Sequence, residues 1–144
     1  MPDSRFPFSN FLPWECMVGN ITFPTLEHAY QGMKTKDLGT RFLISQCVGP
    51  GAAKRMGGRI ALRPDWEEIK FAVMTKLIEK KFAFNSAYGN QLEQFEGDIV
   101  EWNTWHDQIW GVCTCPRHNG NGNNHLGRIL SQRRTQLRKM RTEL

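Results

Sequence analysis

Glu27, Gln31 and Lys34 stand at positions i, i+4 and i+7 of the stretch 24-PTLEHAYQGMK-34. On a helix that spacing lines a carboxylate, an amide and an amine in one row. Such a row is either the wet side of a surface helix or the floor of a pocket. An acid in a first helical turn favours the macrodipole whatever else it does. Lys34 reads as a solvated cation, or as a desolvated amine or phosphate partner. His28 points about a hundred degrees away from the row and belongs to packing. A second concentration of chemistry is 101-EWNTWHDQIWG-111, with three tryptophans, a histidine and two acids. Trp102, Trp105 and Trp110 are core anchors with Asp107 capping a turn, or else indole faces for a base or ribose beside carboxylates that accept hydroxyls or face a cationic transition state.

Two further groups of residues offer ligand or anion chemistry. Cys113, Cys115, His118 and His125 supply the atoms of a zinc site, but C-x-C-x2-H-x6-H lies outside the usual spacings, and no metal is expected. The loop 119-NGNGNNHLG-127 precedes a helix, and free N–H groups at a helix start suit an anion. No G-K-[ST] or G-x-G-x-x-G is present, so the common nucleotide-binding loops are excluded.

The elements that must carry these groups are mostly helical. The spacing predicts a hairpin over 17-MVGNITF-23 turning at Gly19-Asn20, then a helix capped by Thr25 and running to about Lys36. A short helix follows at 40-TRFLISQC-47, and 49-GPGAAKRMGG-58 is bounded by breakers and a glycine pair. The segment 64-PDWEEIKFAVMTKLIEKKF-82 carries acids first and lysines last, with an apolar stripe of Trp66, Ile69, Val73, Leu77 and Phe84. The segment 86-SAYGNQLEQF-95 is read as helix around its middle, 98-DIVEWN-103 as a short strand, and a last helix spans about His125 to Met140. The expected class is α+β, predominantly helical with a few short strands, in one domain over 1–144.

With 144 residues, 40% of them hydrophobic and 23% charged, the chain has a globular composition. No apolar run approaches the roughly 18 residues of a membrane span. The start MPDSRFPF lacks the pattern of a secretory leader, and the four cysteines are not a disulfide framework, so a cytoplasmic protein with reduced thiols is expected. The net charge of +5 is concentrated between Arg128 and Arg141, where six Lys or Arg residues occur without an acid. That helix either steers a phosphate-bearing partner or presents a solvated cationic face.

Taken in order, the segments are more specific than any one of them. Phe8-Ser9-Asn10-Phe11, 24-PTLEHAYQGMK-34, 62-LRPDW-66, Lys81-Phe82, 101-EWNTWHDQIWG-111 and 124-NHLG-127 together resemble the NADAR family. The resemblance implies an N-glycosidase acting on a ribose C1–nitrogen bond, without a cofactor. It implies two substrate types: ADP-ribose on the exocyclic amine of guanine in nucleic acid, and phosphorylated ribosylamino-pyrimidines of the riboflavin pathway. The family's functional glutamate, tryptophan and aspartate fall on Glu27, Trp66 and Asp107, and Lys34 matches a retained position. Ser9, Asn10, Phe11, Gln31, Arg63, Trp110, Gly111, Asn124, Leu126 and Gly127 are the expected substrate contacts, with Arg63 and the 124-NHLG-127 helix start receiving phosphate. The Cys113-Thr114-Cys115 insertion falls outside the family pattern. A binding module for ADP-ribose or NAD without turnover, and a DNA-binding module built on the last helix, are the non-enzymatic alternatives.

Overall fold

The computed structural model describes residues 6–144. The MPDSR start, on which part of the leader reading rests, lies outside the described residues. The chain packs as two compact units, Asn10–Lys81 and Phe82–Leu144, the latter joined by the N-terminal segment ending at Ser9. The described residues form six helices and two small sheets, an α+β architecture in which helix predominates.

In the Asn10–Lys81 unit, β1 (Pro13–Val18) pairs antiparallel with β2 (Ile21–Thr25). Gly19 takes φ +61° at the turn, a conformation that suits a residue without Cβ. The hairpin is longer than 17–23, with a register irregularity between Pro13 and Cys16. Thr25 ends β2 and caps α1 (Leu26–Gly32), its hydroxyl accepting from the His28 N–H. Every residue of α1 is buried. The Thr25 hydroxyl and the Cys47 carbonyl hold the two nitrogens of His28, at 2.7 and 3.0 Å, so this histidine does serve packing.

Around α1 pack α2 (Leu38–Ser45), capped by Asp37, and α3 (Gly49–Gly57), with Pro50 in its first turn. Helix α4 (Trp66–Lys81) also packs on α1. Its buried face is Trp66, Met74, Leu77, Ile78 and Lys81 rather than the expected stripe; Ile69 and Val73 are half-buried, and Phe84 lies beyond the helix. A buried lysine breaks the apolar pattern from which a stripe is read.

In the other unit, Ser86 caps α5 (Ala87–Gln94), and Phe8 stacks edge-on against Phe82 and Phe95. Strand β3 is only Trp102–Asn103 and pairs parallel with β4 (Val112–Cys113). The last helix, α6 (His125–Thr142), follows. Its arginines hold the α5 region through carbonyls: Arg133 to Phe82, Arg134 to Phe95 and Gly97, and Arg138 to Glu93 and Phe95. Arg141 grips the Glu93 carboxylate through two nitrogens, bonds Asn85 and lies over Phe84. The cationic run is therefore largely a set of packing clamps. Among the described residues no helix is long and apolar enough to cross a membrane.

Candidate active site

The row read from the sequence is a buried one. Glu27 is 7% exposed, and its Oε1 accepts a hydrogen bond from Gln31 Nε2 at 3.1 Å, one helical turn on. The Glu27 N–H donates to the Asn10 carbonyl at 3.1 Å, so Asn10 is tied to the first turn of α1. Asn10 Oδ1 and Gln31 Oε1 are buried side-chain oxygens that accept no hydrogen bond among the described residues. Gln31 in turn lies flat on Gly57: a Cβ at 57 would fall 1.8 Å from Gln31 Oε1. Gly57 thus leaves room for the amide that holds Glu27, a contact no spacing rule reveals.

Lys34 ends the row, half-buried, with its ammonium 5.9 Å from the centre of the Tyr30 ring. Burial lowers its pKa, the Glu27 charge opposes that shift, and the charges of Lys54 and Lys70 add to it. Carboxylate and amine are thereby electrostatically linked. Trp66, 4% exposed, packs against Tyr30, with ring centroids 5.2 Å apart. The Arg63 N–H donates to the Lys34 carbonyl at 2.8 Å, which places the 62-LRPDW-66 segment beside the end of α1. The Arg63 guanidinium itself pairs with Asp65 at 2.6 and 3.1 Å. Phe11 is exposed and Ser9 half-buried.

The remaining expected residues lie in the other unit, where they form a tightly sewn corner. Asp107 Oδ1 accepts from the backbone N–H groups of both Ile109 and Trp110, at 3.0 and 2.9 Å. Asn103 clamps the same turn by accepting from Asp107 N and donating to Asp107 O. The carboxylate is a turn cap, as one of the two sequence readings had it. Trp110 is half-buried, while Trp102 and Trp105 are 47% and 38% exposed, so these two indoles are not core anchors. Asn124 accepts from Glu101 N and donates to Ile99 O through its side chain.

The helix start differs from the expected phosphate cradle. The N–H groups of Asn124, His125 and Leu126 donate to the carbonyls of Gly111, Ile109 and Trp110. Those donors are therefore taken up by the chain itself and are not offered to an anion. Leu126 is buried, and Gly127 is needed for close approach, since a Cβ there would meet the Ile99 carbonyl at 2.2 Å. The N-x-L-G segment thus seals the corner.

Asp107→Asn separates the cap from a carboxylate role, because the amide oxygen still accepts both N–H groups. If capping is the whole function, turnover falls less than about threefold; a chemical role lowers kcat by roughly 10² or more, read from initial rates.

The NADAR domain profile matches residues 2–138. The chain belongs to the NADAR family. Among the relatives of this NADAR protein is an N-glycosidase YbiA from Shigella boydii, 36% identical over 94% of this chain and 83% of that protein. An N-glycosidase from Nostoc punctiforme is 30% identical over 92% and 86%. A riboflavin biosynthesis protein of Vibrio vulnificus is 28% identical over 96% of this chain but only 37% of its own length. The solution structure of Escherichia coli YbiA superposes with a TM-score of 0.77 at 33% identity, covering 95% of this chain and 80% of that one. This NADAR chain therefore has the fold of YbiA.

Proposed function

We propose that the protein removes ADP-ribose from guanine in nucleic acid by hydrolysing the ribose C1–nitrogen bond. As a NADAR protein it is a hydrolase of the N-glycosidase type, and the observation that carries the chemistry is the buried Glu27 held by Gln31. Breaking a ribosyl N-glycoside builds positive charge at C1 and the ring oxygen, which a desolvated carboxylate stabilises far better than a hydrated one. Glu27 faces that charge and orients the attacking water. Asn10 Oδ1 and Gln31 Oε1 accept sugar hydroxyls, which removes the cost of burying them unbonded. The glycosylamine can also open to an imine; the neutral Lys34 amine, favoured by its lowered pKa, then adds to C1 and expels the guanine amine, and water hydrolyses the resulting Schiff base to free ADP-ribose and the lysine.

The nucleic-acid assignment rests on the exposed faces of Trp102 and Trp105, each able to stack on a base. The α6 arginines support it less than their charge suggests, since most of their donors hold carbonyls. Incubation with single-stranded DNA carrying ADP-ribose on guanine should release ADP-ribose. Trp102→Ala and Trp105→Ala should each weaken binding about tenfold, in line with roughly 1–3 kcal/mol per stacked base, with a shallow salt dependence. No release from modified DNA, alongside turnover of a phosphorylated ribosylamino-pyrimidine, would replace this reading with the metabolite one, which the name of the Vibrio riboflavin biosynthesis relative favours. Binding heat without turnover of either substrate would leave a non-catalytic module.

A further inference from the structure

Outside the row on α1, the most concentrated chemistry lies in the loop around the C-T-C insertion. His106 Nδ1, Cys113 Sγ, Cys115 Sγ and His118 Nδ1 converge, all four ligand atoms lying within 4.8 Å of one another. His106 Nδ1 is 3.3 Å from His118 Nδ1, 3.4 Å from Cys115 Sγ and 4.0 Å from Cys113 Sγ; Cys115 Sγ is 3.1 Å from His118 Nδ1. We propose that these four residues bind one zinc ion in a closed structural site.

Bond lengths decide the match. A tetrahedral ion with Zn–S of about 2.3 Å and Zn–N of about 2.0–2.1 Å sets ligand edges of about 3.3 Å for N···N and about 3.6 Å for S···N. The observed N···N separation is 3.3 Å, and the three S···N separations bracket the second figure. Hydrogen bonding alone does not explain the cluster. A ring nitrogen carries either one proton or one lone pair, yet His106 Nδ1 faces three heteroatoms at once. A shared cation satisfies all of them. His106 is also held at φ +73°, in the left-handed region that an L-residue rarely adopts, and coordination offsets that strain.

The site is built by the local backbone. Cys113 sits on β4, bonded to Asn121 O through its N–H and to Gly120 N through its carbonyl. The Cys115 carbonyl accepts from the His118 and Asn119 N–H groups, closing a tight C-P-R-H turn that brings both ligands to one side. Both thiols are buried, while His118 is half-buried and His106 exposed, so the ion seals a loop from beneath the imidazoles. The spacing-based set included His125, but the ring of His125 packs against Trp110 at 6.3 Å and its N–H bonds Ile109 O. The fourth ligand comes instead from inside the W-H-D segment, which no finger spacing indicates. With four protein ligands the site has no open position for a reacting water, and the ion staples the turn that Asp107 caps.

The full chain, purified with reductant and zinc and then dialysed, should retain about one zinc per molecule by mass spectrometry of the metal. Cobalt substitution should give the intense d–d bands of a tetrahedral site and thiolate-to-cobalt charge transfer. His106→Asn keeps a residue tolerant of the left-handed backbone, and should lower zinc affinity by more than about 100-fold, beyond the loss of an outer-shell partner. His125→Ala should leave the cobalt spectrum unchanged. Less than about a tenth of an equivalent of zinc, with no cobalt bands in wild-type protein that remains folded by circular dichroism, would overturn the proposal. Loss of the bands in His125→Ala but not in His106→Asn would overturn the ligand assignment, and a Cys113–Cys115 disulfide in the intact mass of reduced protein would overturn both.

Discussion

Glu27→Gln should lower kcat for glycosidic hydrolysis about 10³-fold, the middle of the range for a positioned acid or base, while leaving the fold intact. The amide keeps the volume, and its oxygen still accepts from Gln31 Nε2, so the buried row retains its hydrogen bond. The charge disappears, and the second carboxylate oxygen becomes an amide donor. If Glu27 faces the developing cation, the loss falls on kcat, since that charge exists only in the transition state. The same substitution also reports on Lys34. The Glu27 charge raises the Lys34 pKa against the lowering by burial, so Glu27→Gln lowers that pKa further. A reaction running through a neutral Lys34 amine would then keep its rate, with the rising acidic limb of its profile, set by loss of the Lys34 proton, moved to lower pH. Direct water attack predicts collapse at every pH. The two routes are distinguished by a kcat profile across pH for both proteins, with thermal melts as the check on folding; unchanged kcat in a folded Glu27→Gln would remove Glu27 from the chemistry.

Much of the secondary structure was legible because the local signals agreed with one another. Thr25 and Ser86 as caps, Gly19 at a hairpin turn, and acids first with lysines last on α4 each act within a few residues. The α1 row was legible as a row, but its burial was not. Whether a helix face is wet depends on what packs on it, and here β1, β2, α2, α3 and α4 all pack on seven residues. The arginines of α6 failed in the opposite way. Their partners are carbonyls at 82, 93, 95 and 97, some forty to fifty positions earlier, and a backbone acceptor has no side-chain signature. The phosphate cradle expected at 124-NHLG-127 failed for the same reason: its amides are taken by the carbonyls of residues 109–111. His106 was hidden by its neighbours, since it stands between two family positions and far from the cysteines in any spacing rule.

Lys81 gives the clearest effect on stability. It is 1% exposed at the end of α4, and burial brings its pKa from 10.5 down to about 8. A lysine whose folded pKa lies below its unfolded value binds fewer protons in the fold between the two, so stability rises with pH across that window. From about pH 8 to about 10.5 the rise amounts to about 3 kcal/mol, at roughly 1.4 kcal/mol per unit. Below pH 8 the cost of holding the buried cation is fully present. Cys16 works in the other direction, because burial raises its thiol pKa above 9.0 and the unfolded chain gives up that proton first. The wild-type curve alone is thus a sum of opposing slopes. Lys81→Met keeps the length of the side chain and leaves Cys16 untouched, so the difference between the two proteins isolates the lysine. Urea unfolding of both at pH 7.5, 9 and 10 should show wild type gaining on Lys81→Met as pH rises. A difference that stays flat across those values would mean that Lys81 titrates in the fold as it does in the unfolded chain.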